Sequence, residues 1–121
     1  MVLLVVDDDR RSLDLTAQFI EDSFRCSVLT ASSADEALSI LEAGAHVDLV
    51  FSDVCMPDKD GLALAESVGE RFPTLPLILA TGLPDIVPAA ADRGAMALIK
   101  PYTLDRLAAV LIEKLRLPSP I

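Results

Sequence analysis

The sequence predicts one doubly wound α/β domain, a five-stranded parallel sheet with helices on both faces. Three observations lead there. Five short apolar runs alternate along the chain with amphipathic stretches. A length of 121 residues and a mass of 12.9 kDa suit a single hydrophobic core, so one domain is expected over 1–121 with no effector domain beside it. The apolar runs also lead into polar residues fit for chemistry, which is where parallel sheets gather their ligands.

Taken in order, Val2–Val6 is wholly apolar, as a strand covered on both faces requires. Leu13, Thr16, Ala17, Ile20 and Phe24 then fall at i, i+3, i+4, i+7 and i+11, one face of a helix that should lie on the sheet. Ser27–Ala31 is the second strand. Ser33-Ala34-Asp35-Glu36 is a capping box that opens the second helix, whose buried stripe is Ala34, Ala37, Leu38 and Leu41. Asp48–Ser52 is the third strand. The helix after Gly61 buries Leu64, Ala65, Val68 and Phe72, and stops before Pro73 because the residue preceding a proline avoids helical dihedrals. Leu77–Ala80 and Ala97–Ile99 are the last two strands. Between them Pro84 and Pro88 flank a short stretch before Gly94, so the fourth helix should be short or irregular. The fifth starts at Thr103, buries Leu104, Leu107, Ala108, Leu111 and Leu115, and ends where Pro118 and Pro120 forbid continuation.

Composition removes several classes of function. Ten Lys and Arg against nineteen Asp and Glu leave a net charge of −9, which repels a phosphate backbone, so no direct nucleic-acid binding is expected. Apolar residues make up 52%, too many for an acidic disordered tail, yet no run nears the roughly 20 apolar residues of a membrane span. No membrane insertion is expected. The N-terminus lacks the basic flank and cleavage site of a secretory signal, which points to a cytoplasmic location. Cys26 and Cys55 lie far apart and His46 is the one histidine, so neither a disulfide framework nor a structural zinc site is indicated.

The polar residues at the strand ends converge in a parallel sheet. Asp7, Asp8 and Asp9 follow strand one, Asp53 follows strand three, Thr81 strand four and Lys100 strand five. Gathered carboxylates repel one another and raise their pKa values unless a cation sits among them, and few hard oxygen ligands suit magnesium. Any one of these aspartates alone is explained as a helix cap. All four positions together are not.

The segments Leu4-Val5-Val6-Asp7-Asp8-Asp9, Asp48-Leu49-Val50-Phe51-Ser52-Asp53-Val54-Cys55-Met56-Pro57-Asp58-Lys59-Asp60-Gly61, Thr81-Gly82 and Lys100-Pro101-Tyr102 resemble the receiver domain of bacterial response regulators. The resemblance covers essentially the whole chain, and four motifs in order make it specific. It implies a flavodoxin-like (βα)5 fold of strand order 2-1-3-4-5. It makes Asp53 the phosphoryl acceptor in two-component or phosphorelay signalling, with Mg2+ held by Asp8 directly, by Asp7 through a water, by Asp53 and by the Cys55 carbonyl. Lys100 and the metal then neutralise the phosphoryl oxygens, and the Thr81 hydroxyl bonds one of them beside the open space at Gly82. Pro101 is expected after a cis peptide, as is common in receivers. The implied donor is a histidine kinase or histidine phosphotransfer protein, and output would pass by protein contact or phosphotransfer to a downstream protein target. The resemblance thereby implies a self-phosphorylating signalling domain with slow intrinsic dephosphorylation, not an enzyme.

Several residues stay outside that shell. Asp9 is read as a charge at a helix N-terminus, Asp58 and Asp60 as part of the turn that Gly61 completes, and His46 as structural or exposed. Two departures from the family pattern stand out. Ala97 occupies the place, three residues before Lys100, where receivers usually carry the switching Tyr or Phe, so the signal must travel differently or through Tyr102 and the loop after Thr81. Cys55 and Leu83, two residues after Asp53 and Thr81, are poor at orienting a hydrolytic water. The competing readings are a haloacid dehalogenase-like phosphatase, suggested by the Asp-x-Asp of Asp7-Asp8-Asp9, and a non-phosphorylated pseudo-receiver. The phosphatase lacks its Gly-Thr, which is Arg10-Arg11 here, and its cap.

Overall fold

A computed structural model describes residues 1–115, where strands and helices alternate throughout. Strands β1 (Val2–Val6), β2 (Ser27–Ala31), β3 (Leu49–Asp53), β4 (Leu77–Thr81) and β5 (Met96–Ile99) are all parallel, in the order β2-β1-β3-β4-β5. Helices α1 (Arg10–Phe24), α2 (Ala34–Glu42), α3 (Gly61–Arg71), α4 (Ile86–Asp92) and α5 (Leu104–Leu115) link and follow them. The parallel sheet expected from the sequence pattern and the strand order implied by the resemblance are both present. Strand order reverses between β1 and β3, and that reversal opens a crevice at their carboxyl ends.

Successive residues of a strand face opposite sides, and the core divides accordingly. Leu3, Val5, Leu49, Phe51 and Ile78 pack with Leu13 and Ile20 of α1 and Leu107 and Leu111 of α5. Leu4, Val6, Val50, Leu77 and Leu79 pack instead with residues of α2, α3 and α4 such as Leu41, Leu64 and Ala90. At about 1.5–3 kcal/mol for each buried large side chain, these two layers are the chief force holding the crevice in shape.

Helix starts follow the local sequence. Asp9 caps α1 by accepting from the Arg11 N–H, Ser33 caps α2 by accepting from Glu36, and Asp60 caps α3 by accepting from Ala63. The expected capping box is half realised, since the Glu36 carboxylate returns to the N–H and hydroxyl of Ser32, one residue earlier than a box requires.

Other boundaries move. β3 runs one residue later than expected, β4 takes in Thr81 and β5 takes in Met96, because the pairings Asp53 to Ala80, Thr81 to Ile99 and Ile78 to Met96 lengthen the ladder. Phe72 leaves the helix and caps α3 half-buried, with φ −133° and ψ 61°. Leu104, expected in the buried stripe, is 54% exposed, because it stands first in α5 and the helix docks a turn later through Leu107, Ala108, Val110 and Leu111. Thr16 and Phe24 are half-buried at the margin of the α1 stripe.

The fourth helix is short, as expected, at seven residues. Pro88 lies inside it rather than flanking it, in the first turn, where a missing N–H leaves no bond unmade. The helix end expected at Pro118 and Pro120 lies outside the described residues. No described helix is long and apolar enough to cross a membrane.

Candidate functional site

The crevice is assembled from strand ends. Asp7 follows β1 directly, with its N–H bonded to the Ala31 carbonyl at 3.1 Å and its carboxylate accepting from the Asp9 N–H at 3.0 Å. Asp53 ends β3 as a partly buried residue. Carboxylate oxygens of Asp7, Asp8 and Asp53 all lie within 4.8 Å of one another. From the far side, the Lys100 ammonium donates to Asp53 Oδ1 at 2.7 Å.

The electrostatics follow from that crowding. Burial raises the Asp7 carboxyl pKa, the charges of Asp53 and Asp8 push it further up, and the Asp9 N–H and Lys100 pull it back only in part. Burial acts to lower the Lys100 pKa, but the hydrogen bond and charge of Asp53 outweigh it and the net direction is up. Three carboxylates face one ammonium, and 3 − 1 leaves a negative excess of two. The donor set is all hard oxygen, so these residues fit one small divalent cation.

Asp9 stands outside the group, as expected. Its carboxylate accepts from the Arg11 N–H at 3.0 Å and lies 3.2 Å from the Ser12 hydroxyl, which makes it the cap of α1. Asp58 takes a left-handed turn at φ 65° and Asp60 caps α3, the turn roles read for both. His46 is 77% exposed and lies 3.1 Å from Asp48, so it is remote from the crevice.

Thr81 ends β4, next to β3, and is 1% exposed. Its Oγ1 accepts from the Leu83 N–H at 3.0 Å, which leaves the hydroxyl proton free to donate. A Cβ on Gly82 would meet nothing within 4 Å, so the space beside the threonine is open. The Lys100 N–H donates to the Thr81 carbonyl at 2.7 Å, which ties these two residues together through the backbone. Lys100 precedes a cis proline, as the resemblance implied. Cys55 is exposed in the loop after β3. Ala97 is half-buried against the core layer of α4.

Two features escaped the sequence reading. Gly61 was read as completing a turn, but a Cβ there would stand 2.6 Å from the Asp53 carbonyl oxygen and 2.8 Å from the Val54 Cα. Glycine opening a helix just after its cap Asp60 serves no capping need, and that oddity was the available signal. The second is the aromatic pair of Phe51 and Tyr102, edge to face at 6.1 Å and 69°. Their separation along the chain hides it.

Comparison with known proteins agrees with this geometry. The model of the response regulator receiver domain family matches residues 3–112. The hydrogenase transcriptional regulatory protein HoxA of Cupriavidus necator is 35% identical over 87% of this chain and 22% of its own length. The DNA-binding transcriptional regulator NtrC of Escherichia coli is 33% identical over 93% of this chain and 24% of its own length. This chain therefore spans about a quarter of those relatives. Among solved structures, a response regulator receiver domain protein from Clostridium thermocellum superposes with a TM-score of 0.87 at 29% identity, covering 95% of this chain and 94% of that one. Chemotaxis protein CheY4 of Vibrio cholerae gives 0.84 at 26%, covering 93% and 96%.

Proposed function

Since the chain belongs to the response regulator receiver domain family of two-component signalling, we propose that Asp53 accepts a phosphoryl group from a phosphohistidine donor. The observation that carries this is the Asp53 carboxylate, held by Lys100 at 2.7 Å and flanked by Asp7 and Asp8 at the point where strand order reverses. An Asp53 oxygen attacks phosphorus, an O–P bond forms and the P–N bond to the donor imidazole breaks. The imidazole leaves with the electron pair and takes up a proton. Lys100 faces the incoming phosphoryl oxygens, and the Thr81 hydroxyl has its proton free to donate to one of them. Asp7, Asp8, Asp53 and the Cys55 carbonyl would hold Mg2+, which when bound offsets charge on those oxygens. A histidine kinase or histidine phosphotransfer protein supplies the phosphoryl group, and a downstream protein reads it.

Intact-mass measurement after incubation with acetyl phosphate and magnesium tests this, beside Asp53→Asn. One phosphoryl adduct is expected, lost in the variant and lost when magnesium is chelated. An adduct that survives Asp53→Asn but disappears in Asp7→Asn would assign the chain to phosphatase-type chemistry instead. The adduct should also be long-lived, because the exposed Cys55 and Leu83 hold no acceptor or donor suited to orienting a hydrolytic water. Cys55→Asn with Leu83→Glu should shorten its half-life about ten-fold. An unchanged half-life would remove the water-positioning account.

A further inference from the structure

Lys100 acts from an insecure position. Its side chain is 43% exposed, and a single ammonium on a flexible stem is not held there by burial. Its backbone is tied upstream by the bond from its N–H to the Thr81 carbonyl. Downstream, the chain turns through Pro101 and reaches Tyr102, the one tyrosine of the sequence, which is half-buried. The Tyr102 ring lies edge to face on Phe51, and it lines one cavity with Thr16. Phe51 is buried in β3 two residues before Asp53, and Thr16 stands on α1, the helix that follows Asp7 and Asp8. One side chain thus joins the loop of Lys100 to the strand of the acceptor, across a cavity from the helix behind the acidic pair.

We infer that Tyr102 is a positioning residue for Lys100, an assignment that rests on the phosphoacceptor reading of Asp53: its brace on Phe51 fixes the downstream side of the loop, so that the Lys100 ammonium stays over the Asp53 carboxylate. A cavity of about 200 Å³ lies beside the pair, lined by Asp7, Leu15, Thr16, Asp53, Lys100 and Tyr102 among others. That space gives the ammonium room to swing aside once the brace is gone. Phosphoryl transfer by positioning is steeply sensitive to such displacement.

The rate of adduct formation from acetyl phosphate, taken across donor and magnesium concentrations, tests this in the full chain. Tyr102→Ala should lower the rate at saturating donor about ten-fold and leave the half-saturating magnesium concentration unchanged. Tyr102→Phe, which keeps the ring on Phe51, should recover most of the rate. In a Lys100→Ala background Tyr102→Ala should slow the reaction no further, since a residue that acts through Lys100 has nothing left to position. A full wild-type rate in Tyr102→Ala, or an equal ten-fold loss in the Lys100→Ala background, would overturn the assignment. A second measurement needs no phosphoryl transfer. Lys100 is one of three lysines, and its Nζ and Cε magnetic resonance signals should move to free-lysine positions in Tyr102→Ala and stay in place in Tyr102→Phe. Unmoved signals in Tyr102→Ala would overturn the brace, whereas a wild-type chain without any adduct would overturn the acceptor reading alone.

Discussion

At the scale of single residues, environment separates groups that look alike in a sequence. Asp7, Asp8 and Asp9 are one acidic run, yet Asp9 spends its oxygens on capping α1 while Asp7 and Asp8 turn theirs to Asp53. The two cysteines part in the same way. Cys55 is exposed in the loop after Asp53, and Cys26 is buried, with burial pushing its thiol pKa up. Because the thiolate is the reactive form, a raised pKa moves reactivity to higher pH. Iodoacetamide at neutral pH should therefore add to Cys55 first, and labelling of Cys26 should lag and increase as pH rises, read by peptide mass. Equal rates at neutral pH would contradict the burial account. Cys55 was legible as a position in a motif, but its exposure was not.

At the scale of elements, the start of α3 carries more than a cap. Asp60 holds the Ala63 N–H at 2.9 Å, and losing such a cap costs about 1 kcal/mol. Gly61 lets the first turn of α3 close onto the end of β3. Gly61→Ala forces a methyl against backbone atoms that cannot rotate away, so it should cost more than the Asp60→Ala cap, about 2 kcal/mol or above by denaturant unfolding. It should also slow adduct formation, because the displaced carbonyl is that of Asp53 itself. A Gly61→Ala chain as stable as wild type would mean that α3 shifts freely. Sequence periodicity located four helices, the short α4 being read from Pro84, Pro88 and Gly94 instead, and it erred at Phe72 and Leu104 because helix ends are settled by where the packed face stops.

Over the whole molecule, helix length and capping are uneven. The sheet closes one core layer with α1 and α5 and another with α2, α3 and α4, yet α4 is seven residues long and has no side-chain cap at Asp85. Pro84 and Pro88 bring no N–H, and Leu83 and Val87 are exposed beside them. This segment adjoins Thr81, whose Oγ1 holds the Leu83 N–H, and Ala97 provides no aromatic ring to couple with it. Amide exchange over 82–95 should be faster than in β4 or α5, and should slow when magnesium and beryllofluoride occupy the site. Equal protection with and without them would exclude this loop as the responding element.

The sequence by itself determined the class of fold, the five strands, the faces of the helices and the acidic, hydroxyl and lysine residues of the site. Those properties are written in spacing and in residue type, which are local and readable along the chain. Only the tertiary structure decided which carboxylates share a centre, that the Thr81 hydroxyl is already held by Leu83, that Gly61 admits the approach of α3 to Asp53, and that Tyr102 packs on Phe51. Such relations join residues far apart in the chain. They depend on distances that exist only once the two core layers have closed on the sheet and brought the strand ends together.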